Sequence, residues 1–234
     1  MSSLNILSGG AAQGLVGSLA PTFKAQAELD IAGEFGAVGV MADKLRAGTP
    51  ADLVILTAAL VARLAQEKLV VTASIADVGL VETALAVRAV DAKITVRDAA
   101  GLRDALLAAD EIFVPDIKAS TAGIHVAKVL DQLGIADRVA ARLRIFPNGA
   151  TAMRELAKSE AQCPIGCTQS TEIISTNGIT LSGSLPPGCE LATMYTAGIT
   201  TTAVHAPQSQ QLIELLIGAE QRQQREHAGF LGAK

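Results

Sequence analysis

The sequence predicts an α/β protein built as two lobes, on three observations. Apolar periodicity switches repeatedly between short β-rich runs and longer helical stretches, the pattern of βα units around a largely parallel sheet. The 234 residues suit two lobes of about 100 residues each. Helical material closes the chain after the last strand, and its apolar residues need a lobe to cover. Lobe 1 is therefore expected at 1–80 plus 200–234 and lobe 2 at 85–190, with hinge strands at about 80–90 and 190–200.

LNILSGG (4–10) reads as a strand ending in a glycine turn, and 11–26 follows as a helix with Leu15, Leu19 and Phe23 on one stripe. LDIAGEFG (29–36) is a second strand, 38–48 a helix stopped by Gly48, ADLVILT (51–57) a third strand, and 59–68 a helix. After Gly79, VETALAVRA (81–89) is a strand, and 97–110 is a helix with Asp98 as its N-cap. EIFVPD (111–116) is a strand. The long helix STAGIHVAKVLDQLG (120–134) has Ser120 or Thr121 to start it and Gly134 to end it. RLRIFPNGATAMRELAKSE supplies a strand, a turn and a helix, and PIGCTQSTEI (164–173), ITLSGSL (179–185) and LATMYTAGI (191–199) are strands. The tail from 207 is helical, with Pro207 in its first turn.

Composition removes several classes of function. Aromatic residues make up 3% of the chain and Trp is absent, so platforms for stacking bases are scarce. A net charge of -4 with dispersed basic residues forms no stripe for a phosphate backbone, so no nucleic-acid partner is expected. No apolar run approaches 18 residues, so no membrane insertion is expected. MSSLNILSGG has no basic n-region and no cleavage site, and three cysteines are an odd number. Both point to a cytoplasmic protein with reduced thiols, the alternative being a periplasmic one whose leader was removed.

Three small-residue turns join a strand to a helix: SGGAAQG, FGAVG and KASTAG. Each leaves backbone N–H groups at a helix N-terminus, an arrangement that suits an anion. No GxGxxG or GxxxxGK[ST] occurs, so nucleotide cofactors lack their residues. Cys163 and Cys167 have no second pair and no clustered His, so no metal is expected.

STAGIHVAKVLDQLGI (120–135), EIFVPD, FGAVGVMADKLRAGTPADLVILT (35–57), PIGCTQSTEI and GSLPPGCELATMYTAGI together resemble the molybdate-binding-like branch of type 2 periplasmic solute-binding proteins. The resemblance covers nearly the whole chain. It implies a two-lobed type 2 periplasmic-binding-protein-like fold, a small ligand in the cleft between lobes, and no cofactor. It puts Ser8, Gly9, Gly10, Ala37, Val38 and Thr57 on the lobe 1 side of that cleft. Ser120, Thr121, Ala122, Gly123, Asn148, Gly149 and Gln169 stand opposite, with Tyr195 near the second hinge crossing. One position departs from the pattern: Ala37 stands where molybdate binders usually carry a serine that donates to the oxyanion.

Two classes of function stay open. One is a binding protein closing on a small oxyanion, molybdate-like, or on a di- or tricarboxylate; with no leader removed, no transporter partner is expected. The other is an enzyme of the same fold, an isomerase moving a proton on a small polycarboxylate, because the family's neighbourhood includes aconitate isomerases. The titratable groups near the expected cleft are His125, Glu172, Cys167 and Tyr195, of which Glu172 and His125 are the candidate catalytic bases. Lys118 is the basic residue nearest a cleft turn.

Overall fold

The computed structural model describes residues 3–232. In chain order they form β1 (Ser3–Gly9), a 3-10 turn at Gly10–Ala12, α1 (Gln13–Ala27), β2 (Asp30–Gly36), α2 (Val38–Arg46), β3 (Leu53–Thr57) and α3 (Ala58–Gln66). There follow β4 (Ala76–Arg88), α4 (Ala99–Ala108), β5 (Glu111–Pro115), α5 (Thr121–Gln132), α6 (Ala136–Val139), β6 (Leu143–Phe146) and α7 (Gly149–Leu156). The chain closes with β7 (Pro164–Gln169), α8 (Ser170–Ile174), β8 (Ile179–Ser184), β9 (Ala192–Ile199), α9 (Ala206–Ile217) and α10 (Arg222–His227).

The chain divides into two compact units. One runs through Val81 and resumes at Thr193, and the other is Glu82–Ala192. The division falls inside β4 and at the start of β9.

In the first unit β1 lies between β2 and β3, parallel to both, and β3 pairs antiparallel with β9. LNIL and LVIL have nearly every residue buried, because helices cover both faces of a parallel sheet. β2 is the edge strand, which explains its exposed Asp30 and Glu34 and their surface ion pairs with Lys24 and Lys44. Leu15, Leu19 and Phe23 of α1, Leu212 and Leu216 of α9, and Phe230 fill the core. Asp52, 2% exposed, ties distant segments together. Its Oδ2 accepts from the Asn5 N–H at 2.9 Å, and its Oδ1 accepts from the Val204 and His205 N–H groups at 2.7 and 2.9 Å.

In the second unit β5 lies between β6 and β7, parallel to both, and β4 pairs antiparallel with β7 and β8. Two apolar layers form here. Leu85, Leu102, Val114, Val126 and Ile165 belong to one, and Ala84, Phe113, Met153, Leu156 and Ile173 to the other, where Phe113 stacks on Phe146 at 5.9 Å.

Four local expectations change. The segment 164–173 is a strand only to Gln169; Ser170–Ile174 turns helical, with Glu172 buried in its first turn. β4 starts at Ala76 rather than 81, because Gly79, with φ +155, carries the strand past the backbone of Leu231 instead of breaking it. Residues 10–12 form a tight 3-10 turn ahead of α1. Residues 136–139 form a short helix that their sequence pattern did not suggest. The Asp98 cap is present, its carboxylate accepting from the Gly101 N–H.

Candidate functional site

In the first unit the register of three neighbouring strands brings the small-residue turns to one sheet edge. Ser8 pairs with Phe35 on one side and Ile55 on the other, so the carboxyl ends of β2, β1 and β3 lie level. Open α/β sheets bind ligands outside such ends. Ser8 is fully buried, and its hydroxyl donates to the Gly9 carbonyl at 3.0 Å. Gly9 has an ordinary φ of -60, so its lack of a side chain answers to space. A Cβ there would stand 2.7 Å from Val38 Cγ1 and 2.9 Å from Tyr195 Cε1. Gly10 opens the 3-10 turn.

Ala37 caps α2 and Thr57 caps α3, both extended and neither through a side-chain hydrogen bond. Thr57 stands opposite Tyr195 in the β3–β9 register. Tyr195 is 3% exposed and meets Phe230 edge-on at 6.4 Å. Ser8, Gly9, Gly10, Ala37, Val38, Thr57 and Tyr195 thus gather at one end of the unit.

In the second unit the parallel strands β6, β5 and β7 likewise end in helix-starting turns. Asp116 shapes the turn before α5: its Oδ1 accepts from the Lys118 and Ala119 N–H groups at 2.7 and 2.9 Å. Ser120 caps α5 with no side-chain bond, Thr121 and the buried Ala122 begin it, and a Cβ on Gly123 would collide with the Asp116 carbonyl. The Lys118 side chain is exposed. Asn148 caps α7, its Oδ1 accepting from the Thr151 N–H at 2.8 Å.

The next N–H groups of α7 are turned inward. Gly149 and Ala150 donate to the carboxylate of Glu172, as do the Gln169 N–H and, at 2.6 Å, the Thr168 hydroxyl. Glu172 is 5% exposed, and burial pushes its carboxyl above the usual carboxylate range despite these donors. An acceptor engaged four times is built to hold a turn together.

His125 lies one turn into α5, half-buried, and its Nε2–H donates to the Cys189 carbonyl at 2.8 Å. Cys167 is fully buried and its thiol is pushed up to about 12, far from a thiolate nucleophile. Gln169 caps α8, is 3% exposed, and among the described residues neither atom of its amide has a hydrogen-bond partner.

Two residues of this neighbourhood escaped the sequence reading, Thr83 and Thr171, whose buried hydroxyls are also unpartnered. Thr83 is the register partner of Gln169, a pairing between distant strands that leaves no local signal. An apolar cavity of about 400 Å³ lies elsewhere in this unit, lined by Val87, Ile94, Ala105, Ala109 and Ile165, and includes none of the residues above. Among the described residues no group of three acidic, His or Cys side chains is placed to hold a metal, and no helix is long and apolar enough to cross a membrane.

The fold has solved counterparts. The periplasmic molybdate-binding protein of Azotobacter vinelandii is similar over 99% of this chain and 100% of its own, at 18% identity and a TM-score of 0.82. The sulfate-binding protein SubI of Mycobacterium tuberculosis is similar over 98% of this chain and 86% of its own, at 18% identity and a TM-score of 0.74. In sequence, an aconitate isomerase from a Pseudomonas species is 24% identical over 98% of this chain and 88% of its own. The family described as bacterial extracellular solute-binding protein matches residues 4–231, and the chain belongs to that family.

Proposed function

We propose that this chain captures a small anion, an oxyanion or a di- or tricarboxylate, with no bond made or broken. The observation that carries the reading is the level ending of β2, β1 and β3 in small-residue turns at Ser8, Ala37 and Thr57. The helices that follow the last two begin with backbone N–H groups that no side chain caps. Such ends supply partial positive charge and donors without a fixed cation. Family membership and the molybdate- and sulfate-binding neighbours support it.

The test is a thermal-shift screen with molybdate, tungstate, sulfate, citrate and both aconitate isomers. A ligand that binds the native state raises the melting temperature by mass action. No shift with any of the six overturns the reading.

A second reading, isomerisation of a polycarboxylate, is favoured by the aconitate isomerase relative. It requires one base to remove and return a proton, with Glu172 and His125 as the candidates. Both already have hydrogen-bond partners, so one must exchange them when substrate enters. Incubation with cis-aconitate followed by NMR decides: appearance of the trans isomer, lost in Glu172→Gln or His125→Ala, supports catalysis, and no conversion removes it. On residence, three unpaired thiols support the cytoplasm and the family description supports export, a choice that cell fractionation makes.

A further inference from the structure

Buried polar groups are nearly always hydrogen-bonded, and a cluster left unpaired awaits partners from outside the chain. Gln169 ends β7 at 3% exposure, and among the described residues both its amide oxygen and its amide nitrogen are unpaired. Thr83, its register partner on β4, is 1% exposed, and Thr171, two residues further along, is 3% exposed; each has an unpaired hydroxyl.

The unpaired atoms are of two kinds. Gln169 Nε2 only donates and Oε1 only accepts, while the two hydroxyls do either. A fully ionised oxyanion has acceptors alone, so it satisfies Nε2 and leaves Oε1 without a partner. The neighbouring α7 N-terminus adds little attraction for extra negative charge, because Glu172 already sits on its first N–H groups.

We propose that the ligand carries a hydrogen-bond donor beside its negative charge: Gln169 Oε1 accepts from a ligand hydroxyl while Nε2 donates to a ligand oxygen. Two kinds of molecule have this chemistry, a hydroxylated carboxylate and a protonated tetrahedral oxyanion. The inference rests on the anion-binding reading and narrows it.

Titration calorimetry on the intact protein tests it with two matched pairs. Citrate and tricarballylate differ by one hydroxyl; hydrogen phosphate and sulfate differ by one proton-bearing oxygen. In at least one pair the donor-bearing member binds tenfold or more tightly than its partner, and which pair does so separates the two sources. Gln169→Leu, checked by thermal melting, brings the two members of that pair within about threefold; a site that rejects ligands lacking a hydroxyl does so because its own polar groups go unpaired.

Equal affinities within both pairs, or tighter binding of tricarballylate and sulfate, overturn the inference and leave anion binding standing. Discrimination that survives Gln169→Leu removes the assignment to this amide. Absence of binding by all four anions overturns the inference, while the six-ligand thermal-shift screen decides anion binding separately. The wild-type comparison stands alone if the variant does not fold.

Discussion

The N–H of Gly149 donates to the buried carboxylate of Glu172, and the two residues are so close that a side chain at 149 has nowhere to go. A Cβ there would run into Glu172 Oε2 and Thr168 Oγ1, the donor–acceptor pair that anchors the turn. Gly149→Ala is therefore expected to cost about 3 kcal/mol or more, combining overpacking with a broken buried network. Urea unfolding monitored by circular dichroism measures it; a loss below about 1 kcal/mol contradicts the tight packing.

Glu172 predicts a pH dependence of definite sign. Its folded pKa lies above the ordinary value of 4.5 because burial disfavours the charge. A carboxyl raised in this way stabilises the fold below its unfolded pKa and loses that contribution as pH rises through the folded one. Wild-type stability relative to Glu172→Gln should thus fall as pH climbs above about 4.5 and passes through the raised folded pKa. Urea midpoints of both proteins between about pH 4 and 8 give the difference, and a flat difference contradicts a raised pKa.

This carboxylate also marks where sequence reading ended. PIGCTQSTEI looks like a strand because Ile, Cys and Thr dominate it, yet the chain turns helical after Gln169, where Glu172 collects N–H groups from two separate turns. By contrast α5 was legible from its apolar stripe, Gly134, and the small residues before it. The strands of the first unit were equally plain, since LNIL and LVIL are runs that only a doubly covered sheet accommodates. The grouping of Ser8 with Ala37 and Thr57 was an implication of the family resemblance, and its physical basis is the level register of β2, β1 and β3. The unpaired hydroxyl of Thr83 gave no signal, because its neighbourhood is created by an antiparallel register with a strand far along the chain.

Ser8 carries a prediction about affinity. Its hydroxyl is fully buried and, among the described residues, bonds only the adjacent Gly9 carbonyl, so the fold depends on it weakly. Ser8→Ala should weaken binding of whichever anion shifts the melting temperature most by about 1–3 kcal/mol, since a buried ligand atom loses its partner. The apo melting temperature should move by only a few degrees. Unchanged affinity in calorimetry removes Ser8 from the site.

The three thiols differ in environment, and alkylation should reveal it. Cys163 is exposed, whereas Cys167 and Cys189 are buried, with the Cys167 thiol pushed up to about 12 and that of Cys189 also raised. Brief treatment of native protein with iodoacetamide near pH 8 should modify Cys163 alone, because thiolate is the reacting form. Mass spectrometry of the digested protein reads the sites, and equal labelling of Cys167 contradicts its burial.

The arrangement around Asp52 has a consequence for the order of events during synthesis. Its carboxylate emerges early from the ribosome, but two of its three backbone donors belong to Val204 and His205. The same delay affects β3, whose antiparallel neighbour is β9, and the core that awaits Leu212, Leu216 and Phe230. Glu82–Ala192 is one uninterrupted stretch and has all its own residues in hand while the first unit is still waiting for these. The middle of the chain is thus free to mature first, and the opening 81 residues spend most of translation as an unfinished half with apolar strands uncovered. A nascent chain stalled before residue 193 should present a protease-resistant middle and a sensitive beginning, the reverse of the usual amino-terminal head start.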